Sequence, residues 1–397
     1  MTIRSARIAL AAVVFAVLLA QVLLYPGIDT LVTALGADTT LDGSMWFLAA
    51  EFGSFVLFAG IWGVASDATG RRVPFIVAGA FAGAVGYALL AGLPQVTDLP
   101  FLAVLGLRVL QGAATIGAFS LSVTMLMDLE GGHGRNMGAA GIAIGGGTAL
   151  GAPVGGQLYE ISPFAPLFVA SVLLVVVGLL AARVTDRAPD EQRGRIGAIR
   201  ETIRETPAIL VPCAFGFVDR LTAGFFALVG TLYFREVFGL SPGRTGLLLA
   251  LFFAPFALFQ YPFGVLSDRI GRTIPVLAGS TLYGIAVIGV GLAPTVALAG
   301  AGMVAVGVIG ALMAPATMAL VTDLAADDRR GVAMAAFNAV GSLGFLAGVL
   351  VGGTVADEYG YFSAFLTVGG LEVAVAALAV PAFIRLGLPA VDARPES

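Results

Sequence analysis

Lysine is absent from this 397-residue chain, so all 21 basic side chains are arginines, and only 12% of the residues are charged. A soluble protein of this length needs more charge to cover its surface. The hydrophobic share of 58% and the mean hydropathy of +0.98 instead indicate a polytopic membrane protein.

Cysteine and histidine each occur once, at Cys213 and His133. A single cysteine excludes an intramolecular disulfide, and a single histidine argues against histidine-rich metal sites and Ser-His-Asp catalysis. The chain also lacks a nucleotide-binding loop and clustered acidic ligands. We therefore expect no enzyme, no metal or other cofactor and no nucleic-acid partner.

Apolar runs of about 20 residues, the length that crosses a bilayer, occur twelve times. They predict an all-α polytopic protein with twelve transmembrane helices. The segment 183–206 separates six spans from six, which predicts an N-terminal bundle (1–182), a cytoplasmic linker and a C-terminal bundle (207–397). Within the linker, Ile196, Ile199 and Ile203 predict an amphipathic helix along the membrane surface. The predicted spans are 8–25, 44–65, 73–92, 99–127, 137–158, 164–182, 207–234, 243–266, 274–292, 294–321, 331–356 and 361–386.

The arginines are distributed very unevenly between the predicted loops. With the N-terminus inside, 17 of the 21 fall in inside segments or at the inner end of a span, two in or next to outside loops and two deep within spans. The positive-inside rule then places both termini in the cytoplasm. We expect the spans to lie in the bilayer of a prokaryotic cell membrane.

Two polar phrases are repeated along the chain. "GVASDATGRR", from Gly63, returns as "GVLSDRIGRT" 201 residues later, from Gly264, and both follow the second span of their half. "DLEGGHGRNMG", from Asp128, resembles "DLAADDRRGVA", from Asp323, 195 residues later and after the fourth span. Two related six-helix halves explain both repeats.

Twelve spans in two halves, with G-x-x-x-D-x-x-G-R-R after the second, resemble the major facilitator superfamily. Its loop signature is roughly G-x-L-A-D-R-x-G-R-[KR], from which Ala68 and Thr273 depart. The resemblance implies two pseudo-symmetric six-helix bundles and a latch between their cytoplasmic ends. We attribute the close packing of helices to the glycines of this loop, and pairing and capping to its charges. The implied latch residues are Gly63, Asp67, Gly70, Arg71, Arg72, Gly264, Asp268, Arg269, Gly271 and Arg272.

Ionisable residues inside spans are expensive and are candidates for function. Arg108 lies about 13 Å into the fourth span and Glu51 about 10 Å into the second, so we expect them to interact, with Glu51 exchanging a proton. A static structural pair is the alternative. Arg108 and Gln111 also resemble the R-x-x-Q-G motif of the superfamily, which implies proton or substrate coupling.

The later spans carry three further charged residues. Asp219 and Arg220 lie near the middle of the seventh span among aromatic residues, and we expect at least one to face a substrate cavity. Glu372 in the twelfth span is expected to be a structural polar contact.

The fifth span, "GIAIGGGTALGAPVGG", resembles the G-x-x-x-G-P-x-x-G-G pattern of drug-exporting superfamily members, although Ala152 occupies the proline position. Glycine permits close packing and proline permits bending, so we expect a hinge here. The hinge residues are Gly147, Gly151, Pro153, Gly155 and Gly156.

These features together predict a monomeric secondary transporter that works by alternating access and is driven by an ion gradient. We expect proton-coupled export of hydrophobic or amphiphilic small molecules. The alternative is a proton- or sodium-coupled importer of a small polar solute such as a sugar or an organic acid, with Gln21, Gln111 and Gln260 as available polar partners.

Overall fold

The computed structural model describes residues 2–130, 133–186, 196–326 and 329–386, and every regular element within these ranges is helical. Its α-helices are α1 (Ile3–Val22), α2 (Ile28–Ala34), α3 (Thr40–Thr69), α4 (Val73–Gly92), α5 (Phe101–Asp128), α6 (His133–Tyr159), α7 (Ala165–Ala181), α8 (Ile196–Glu205), α9 (Leu210–Phe225), α10 (Thr231–Glu236), α11 (Pro242–Ile270), α12 (Thr273–Gly291), α13 (Val296–Leu324), α14 (Arg330–Tyr359) and α15 (Tyr361–Leu386).

The helices confirm the predicted membrane architecture. In the part of the chain that the structure describes, ten helical stretches are long and apolar enough to cross a membrane. The remaining two predicted spans are the glycine-rich α6, of 27 residues, and the apolar α7, of 17 residues. At 1.5 Å per residue, these two helices are about 40 and 26 Å long, so twelve spans are accounted for.

The first and seventh spans each join several helical segments. The first span was expected to end near Tyr25. Instead, the helix continues through a 3₁₀ turn into α2, and the span ends at Ala34. Pro26 starts that turn, where the missing backbone N–H is tolerated. The seventh span joins α9 to α10 through a π-helical segment, Phe226–Gly230.

The packing divides the chain into two compact units. The first comprises Met1–Arg193 with Phe234–Ala250, and the second comprises Gly194–Tyr233 with Leu251–Ser397. The bundle boundaries inferred from the sequence remain a prediction, because the division at the linker falls among residues outside the described ranges. Within the second unit, α8 packs through a buried Thr202.

The segment Phe234–Ala250 belongs to the first unit because of specific polar contacts. The Arg235 Nη2 atom lies 2.8 Å from the Asp29 Oδ2 atom of α2. The Gly243 N–H donates to Glu160 Oε1 at 3.0 Å. Hydrogen bonds from this N–H and from the Ser241 hydroxyl hold the pKa of Glu160 below its usual range.

The linker helix α8 was predicted to lie along the membrane surface. In the structure, the Glu205 carboxylate pairs with Arg329 at 2.7 Å, so α8 is also held against the second unit by an ion pair. Ile203 is partly buried, whereas the Ile196 and Ile199 side chains lie outside the described residues.

Glycines let helices meet backbone to backbone in both units. In the first unit, a Cβ atom added to Gly147 would lie 2.8 Å from the Phe15 carbonyl oxygen of α1. In the second, a Cβ atom on Gly348 would overlap the Leu221 carbonyl oxygen of α9. Glycines on α6 and α14 therefore allow α1 and α9 to approach closely.

We expect Gly348→Ala to destabilise the protein, because the added methyl group must displace α9 at a cost of about 1–3 kcal/mol. The measurement is the thermal unfolding midpoint of the purified protein in detergent. Gly370→Ala is the matched control, since no atom lies within 4 Å of the Cβ position there. Equal midpoints for the two variants would contradict this account of the α9–α14 contact.

Candidate functional site

Glu51 of α3 and Arg108 of α5 form an ion pair inside the first unit. Arg108 Nη2 lies 2.6 Å from Glu51 Oε2, and the two side chains are 0% and 1% exposed. Arg108 Nη1 donates to Gln111 Oε1 one turn later, and Gln111 Nε2 donates to Thr115 Oγ1 at 3.2 Å. The structure therefore brings together the three residues that the sequence pointed to in this half.

Aromatic rings cover the guanidinium group of Arg108. Its Cζ atom lies 4.5 Å from the centroid of the Phe47 ring and 5.6 Å from that of Tyr87. Cation–π attraction of this kind strengthens when water is excluded. Neither ring could be predicted from the sequence, because nothing in a linear pattern shows which aromatic residues face an arginine on another helix.

Gly112 allows the pair to form. A Cβ atom on Gly112 would overlap Ser54 Oγ and lie 3.2 Å from the Glu51 Cα atom. Glycine therefore allows α5 to contact α3 at the turn that carries Glu51. This close contact explains why glycine directly follows Gln111 in the motif.

The pair leaves two polar atoms unused. Among the described residues, Glu51 Oε1 and Arg108 Nε have no hydrogen-bond partner. A carboxylate with a free oxygen can accept a proton, and protonation would remove the charge that balances Arg108. Breaking a buried ion pair is strongly destabilising, so the protonation of Glu51 must be linked to a rearrangement around Arg108.

Asp219 and Arg220 occupy adjacent positions in α9 of the second unit. Asp219 is partly buried and Arg220 is exposed. Adjacent helical residues point about 100° apart, and the two side chains accordingly differ in environment. Gly341 of α14 lies beside the Arg220 Cγ atom, which would be 3.2 Å from a Cβ atom at that glycine. The cavity role expected for these residues remains a prediction.

A sequence model of the Major Facilitator Superfamily matches residues 10–228 of this chain and, in a second match, residues 213–396. The chain belongs to this superfamily. It is therefore a membrane transporter and not an enzyme.

Proteins similar to this chain include a tetracycline resistance protein, class G, from Vibrio anguillarum, which is 26% identical over 307 residues, or 74% of this chain and 76% of the relative. The crystal structure of the human organic anion transporter MFSD10 (TETRAN) matches with a TM-score of 0.67 at 21% identity, over 95% of this chain and 99% of that one.

A second solved structure is a bacterial homologue of the human lysosomal transporter Spinster in an inward-facing and occupied conformation. It matches with a TM-score of 0.75 at 14% identity, over 96% of both chains. At these identities the two structural matches show the shared superfamily fold.

Each copy of the loop signature forms an ion pair with an aspartate, but through arginines at adjacent positions, since Arg71 aligns with Arg272 and Arg72 aligns with Thr273. Arg72 Nη1 lies 2.5 Å from Asp128 Oδ2 at the end of α5, and Arg272 Nε lies 3.1 Å from Asp323 Oδ2 near the end of α13. Both aspartates begin the second repeated phrase, so the two repeats contact each other within each unit. Arg272 also pairs with Asp268 at 2.6 Å.

Asp186 makes a contact with the first copy of the loop signature, and the described part of the chain shows no equivalent contact at the second copy. Its carboxylate accepts hydrogen bonds from the backbone N–H groups of Arg72 (3.0 and 3.1 Å) and Val73 (3.2 Å). A carboxylate at this position caps the positive N-terminal end of α4. The 195-residue offset between the repeats marks Asp128 and Asp323 as equivalent residues and could have identified them as ion-pair partners of Arg72 and Arg272. No such signal marks Asp186.

The glycines of the loop signatures were expected to allow close packing of helices, and the structure gives them a different role. Gly70 and Gly271 adopt left-handed conformations, with φ of 63° and 82°, and follow the last residues of α3 and α11. They therefore end helices, a role that suits glycine because it lacks a Cβ atom. A Cβ atom on Gly63 would meet open space, and one on Gly264 would lie at an ordinary 3.7 Å from Pro315. The close helix packing inferred for these glycines is thus absent from the described structure.

The remaining latch residues, Asp67, Arg71 and Arg269, are exposed. In the fifth span, Gly151 and Gly155 contact α1, as Gly147 does, and Gly156 contacts the backbone of Pro242. Pro153 lies inside the continuous helix α6. The latch and hinge roles remain predictions.

We expect Gly112→Ala to weaken transport and lower thermal stability, because the added methyl group would push α3 away from α5 and lengthen the Glu51–Arg108 contact. Gly106→Ala on the same helix is the control, since no atom lies within 4 Å of its Cβ position. The overpacking should cost about 1–3 kcal/mol, measured as a shift in the unfolding midpoint. A Gly112→Ala protein with the stability and transport rate of Gly106→Ala would contradict this role.

Proposed function

We propose that this transporter exports hydrophobic or amphiphilic small molecules in exchange for protons and works by alternating access. The observation that carries the proposal is the enclosed Glu51–Arg108 pair, since ionisable groups inside a membrane are retained for function. The proton gradient is the energy source in this proposal, and coupling to a sodium gradient is the alternative.

The mechanism follows from the charge balance of the pair. With Glu51 ionised, Arg108 is neutralised and the α3–α5 contact is stable. A proton on Glu51 leaves Arg108 with Gln111 and the two aromatic rings as its partners. The energetic penalty for that unbalanced charge drives the change to the alternate conformation, in which the proton is released.

The proposed substrate class rests on two observations. The relative from Vibrio anguillarum is a tetracycline resistance protein. The seventh span is rich in aromatic residues, and its Phe217 is only partly buried, so it supplies apolar surface. An apolar compound gains more from such surroundings than a sugar, which needs many hydrogen-bond partners.

We place both termini in the cytoplasm, because 17 of the 21 arginines then lie on the inner side of the prokaryotic cell membrane. The loops with Asp67 and Asp268 lie on that side and act as the latch. The transporter works as a monomer in this proposal.

Glu51→Gln should abolish transport driven by a pH gradient, because glutamine preserves the size of the side chain but cannot bind and release the proton. The measurement uses proteoliposomes with an imposed pH gradient and two panels of compounds, one of hydrophobic dyes and one of sugars and organic acids. Asp98→Asn, which removes an exposed loop carboxylate, is the control and should transport like the unmodified protein.

The two panels separate the proposed function from its alternative. Gradient-dependent dye export by the unmodified protein supports the proposal. Dye export that ignores the gradient, or uptake of sugars or acids in place of dye export, contradicts it. Replacing the pH gradient with a sodium gradient tests the coupling ion.

Asp67→Asn should slow turnover several-fold without changing the order of preference among substrates, because the latch concerns motion and lies at a helix end remote from Glu51. The initial rate and the apparent KM are compared across the dye panel, again with Asp98→Asn as the control. A changed substrate preference at an unchanged rate would contradict a latch role for Asp67.

A further inference from the structure

Glu372 of α15 is a fully buried carboxyl group in the second unit. It was expected to be a structural polar contact, but its surroundings are specific. Ser280 of α12 places its Oγ atom 2.7 Å from Glu372 Oε2, and Thr222 of α9 places its Oγ1 atom 3.1 Å from Glu372 Oε1. Three helices therefore converge on one side chain.

Close contact between α12 and α15 fixes this arrangement. A Cβ atom on Gly369 would lie 2.5 Å from the Gly284 carbonyl oxygen, and one on Gly284 would lie 2.9 Å from the Glu372 Cβ atom. The carboxyl group is thus held between the helices at a point where neither backbone can accept a larger residue.

The hydrogen bonds around Glu372 allow the carboxyl group to carry a proton. Thr222 Oγ1 lies 3.2 Å from the Val218 carbonyl oxygen as well as 3.1 Å from Glu372 Oε1. A hydroxyl group has one hydrogen, and a carbonyl oxygen can only accept. If Thr222 donates to Val218, the hydrogen between Thr222 and Glu372 must belong to Glu372. Ser280 then donates to the other carboxyl oxygen, and every group is satisfied.

The charges around Glu372 also differ from those around Glu51. Among the described residues, no arginine forms an ion pair with Glu372, whereas Glu51 is paired with Arg108. The titratable groups that face Glu372 are Asp219 of α9 and the buried Tyr283 of α12, and neither carries a positive charge. A buried carboxylate without a cation is strongly disfavoured relative to the neutral acid.

We propose that Glu372 is a second proton site of this transporter, protonated at rest, which exchanges its proton with Asp219 through the Thr222 hydroxyl group. Asp219 is partly buried and lies three residues before Thr222, one turn away on the same side of α9. The site is distinct from the Glu51–Arg108 pair, and its role in transport rests on the proposed proton coupling.

The transfer is balanced without any further reactant. The Thr222 hydroxyl group first turns its hydrogen from the Val218 carbonyl oxygen towards Asp219. The Thr222 oxygen then accepts the Glu372 proton while the Thr222 hydroxyl hydrogen moves to the Asp219 carboxylate, directly or through one water molecule. Glu372 becomes a carboxylate and Asp219 a carboxylic acid, while Thr222 remains a hydroxyl group. Return of the proton reverses each step.

The resting proton can be measured without knowing the substrate. Infrared spectra of the full-length protein in liposomes at neutral pH should contain the C=O stretch of a buried protonated carboxyl group. The band should persist in Glu51→Gln and be lost in Glu372→Gln. Glutamine retains both hydrogen bonds as a neutral side chain, so this variant should fold, and Glu372→Asp provides a second variant with a displaced carboxyl band. A band that survives unchanged in Glu372→Gln, or is absent from the unmodified protein, overturns the proposal.

The transport role is tested by counting protons per substrate in the proteoliposomes. Glu372→Gln should lose one proton per substrate, and Thr222→Val should slow proton exchange about a hundredfold, the lower end of what a positioned proton-transfer group contributes. Thr317→Val is the control, because Thr317 is a buried threonine that bonds the Met313 carbonyl oxygen in the same way. An unchanged proton count in Glu372→Gln overturns the second site. Absence of any proton coupling in the unmodified protein instead contradicts the proposed function, while the infrared result stands independently.

Discussion

The buried guanidinium group of Arg108 is the central constraint on the structure around it, since Arg108 is the largest of the fully buried side chains. A membrane interior offers no water to stabilise such a charge, so the protein must supply all of its partners. Glu51 provides the opposite charge, Gln111 an additional hydrogen bond and Phe47 a ring face. Gly112 allows these partners to be reached, because any larger residue would separate α5 from α3.

Backbone contact at glycine recurs wherever the structure positions polar groups or joins helices. It occurs between α1 and α6 in the first unit, and between α9 and α14 and between α12 and α15 in the second. In a membrane, helices gain little from apolar burial against one another, so close van der Waals contact and hydrogen bonds must hold them together. The 54 glycines of the chain therefore serve packing as well as turns.

The two units hold their buried carboxyl groups in different ways. Glu51 is balanced by an arginine, so its protonation disrupts an ion pair. Glu372 is surrounded by hydroxyl groups, so its ionisation would leave a charge without a counterion. In the proposed mechanism, a proton acts at these two places with opposite electrostatic consequences. That difference gives the proposed exchange of protons for substrate a physical basis in each unit.

The sequence alone determined the twelve spans, the internal repeat, the superfamily and the meeting of Glu51, Arg108 and Gln111, because hydropathy, loop charge and short motifs are local signals. Only the tertiary structure decided that Arg72 and Arg272 pair with Asp128 and Asp323, that Gly70 and Gly271 end helices, and that Glu372 lies between two hydroxyl groups. It also decided that Phe234–Ala250 packs with the first unit. These features depend on how each helix is rotated and which neighbour it contacts, and the side chains that set the rotation are far apart in the sequence.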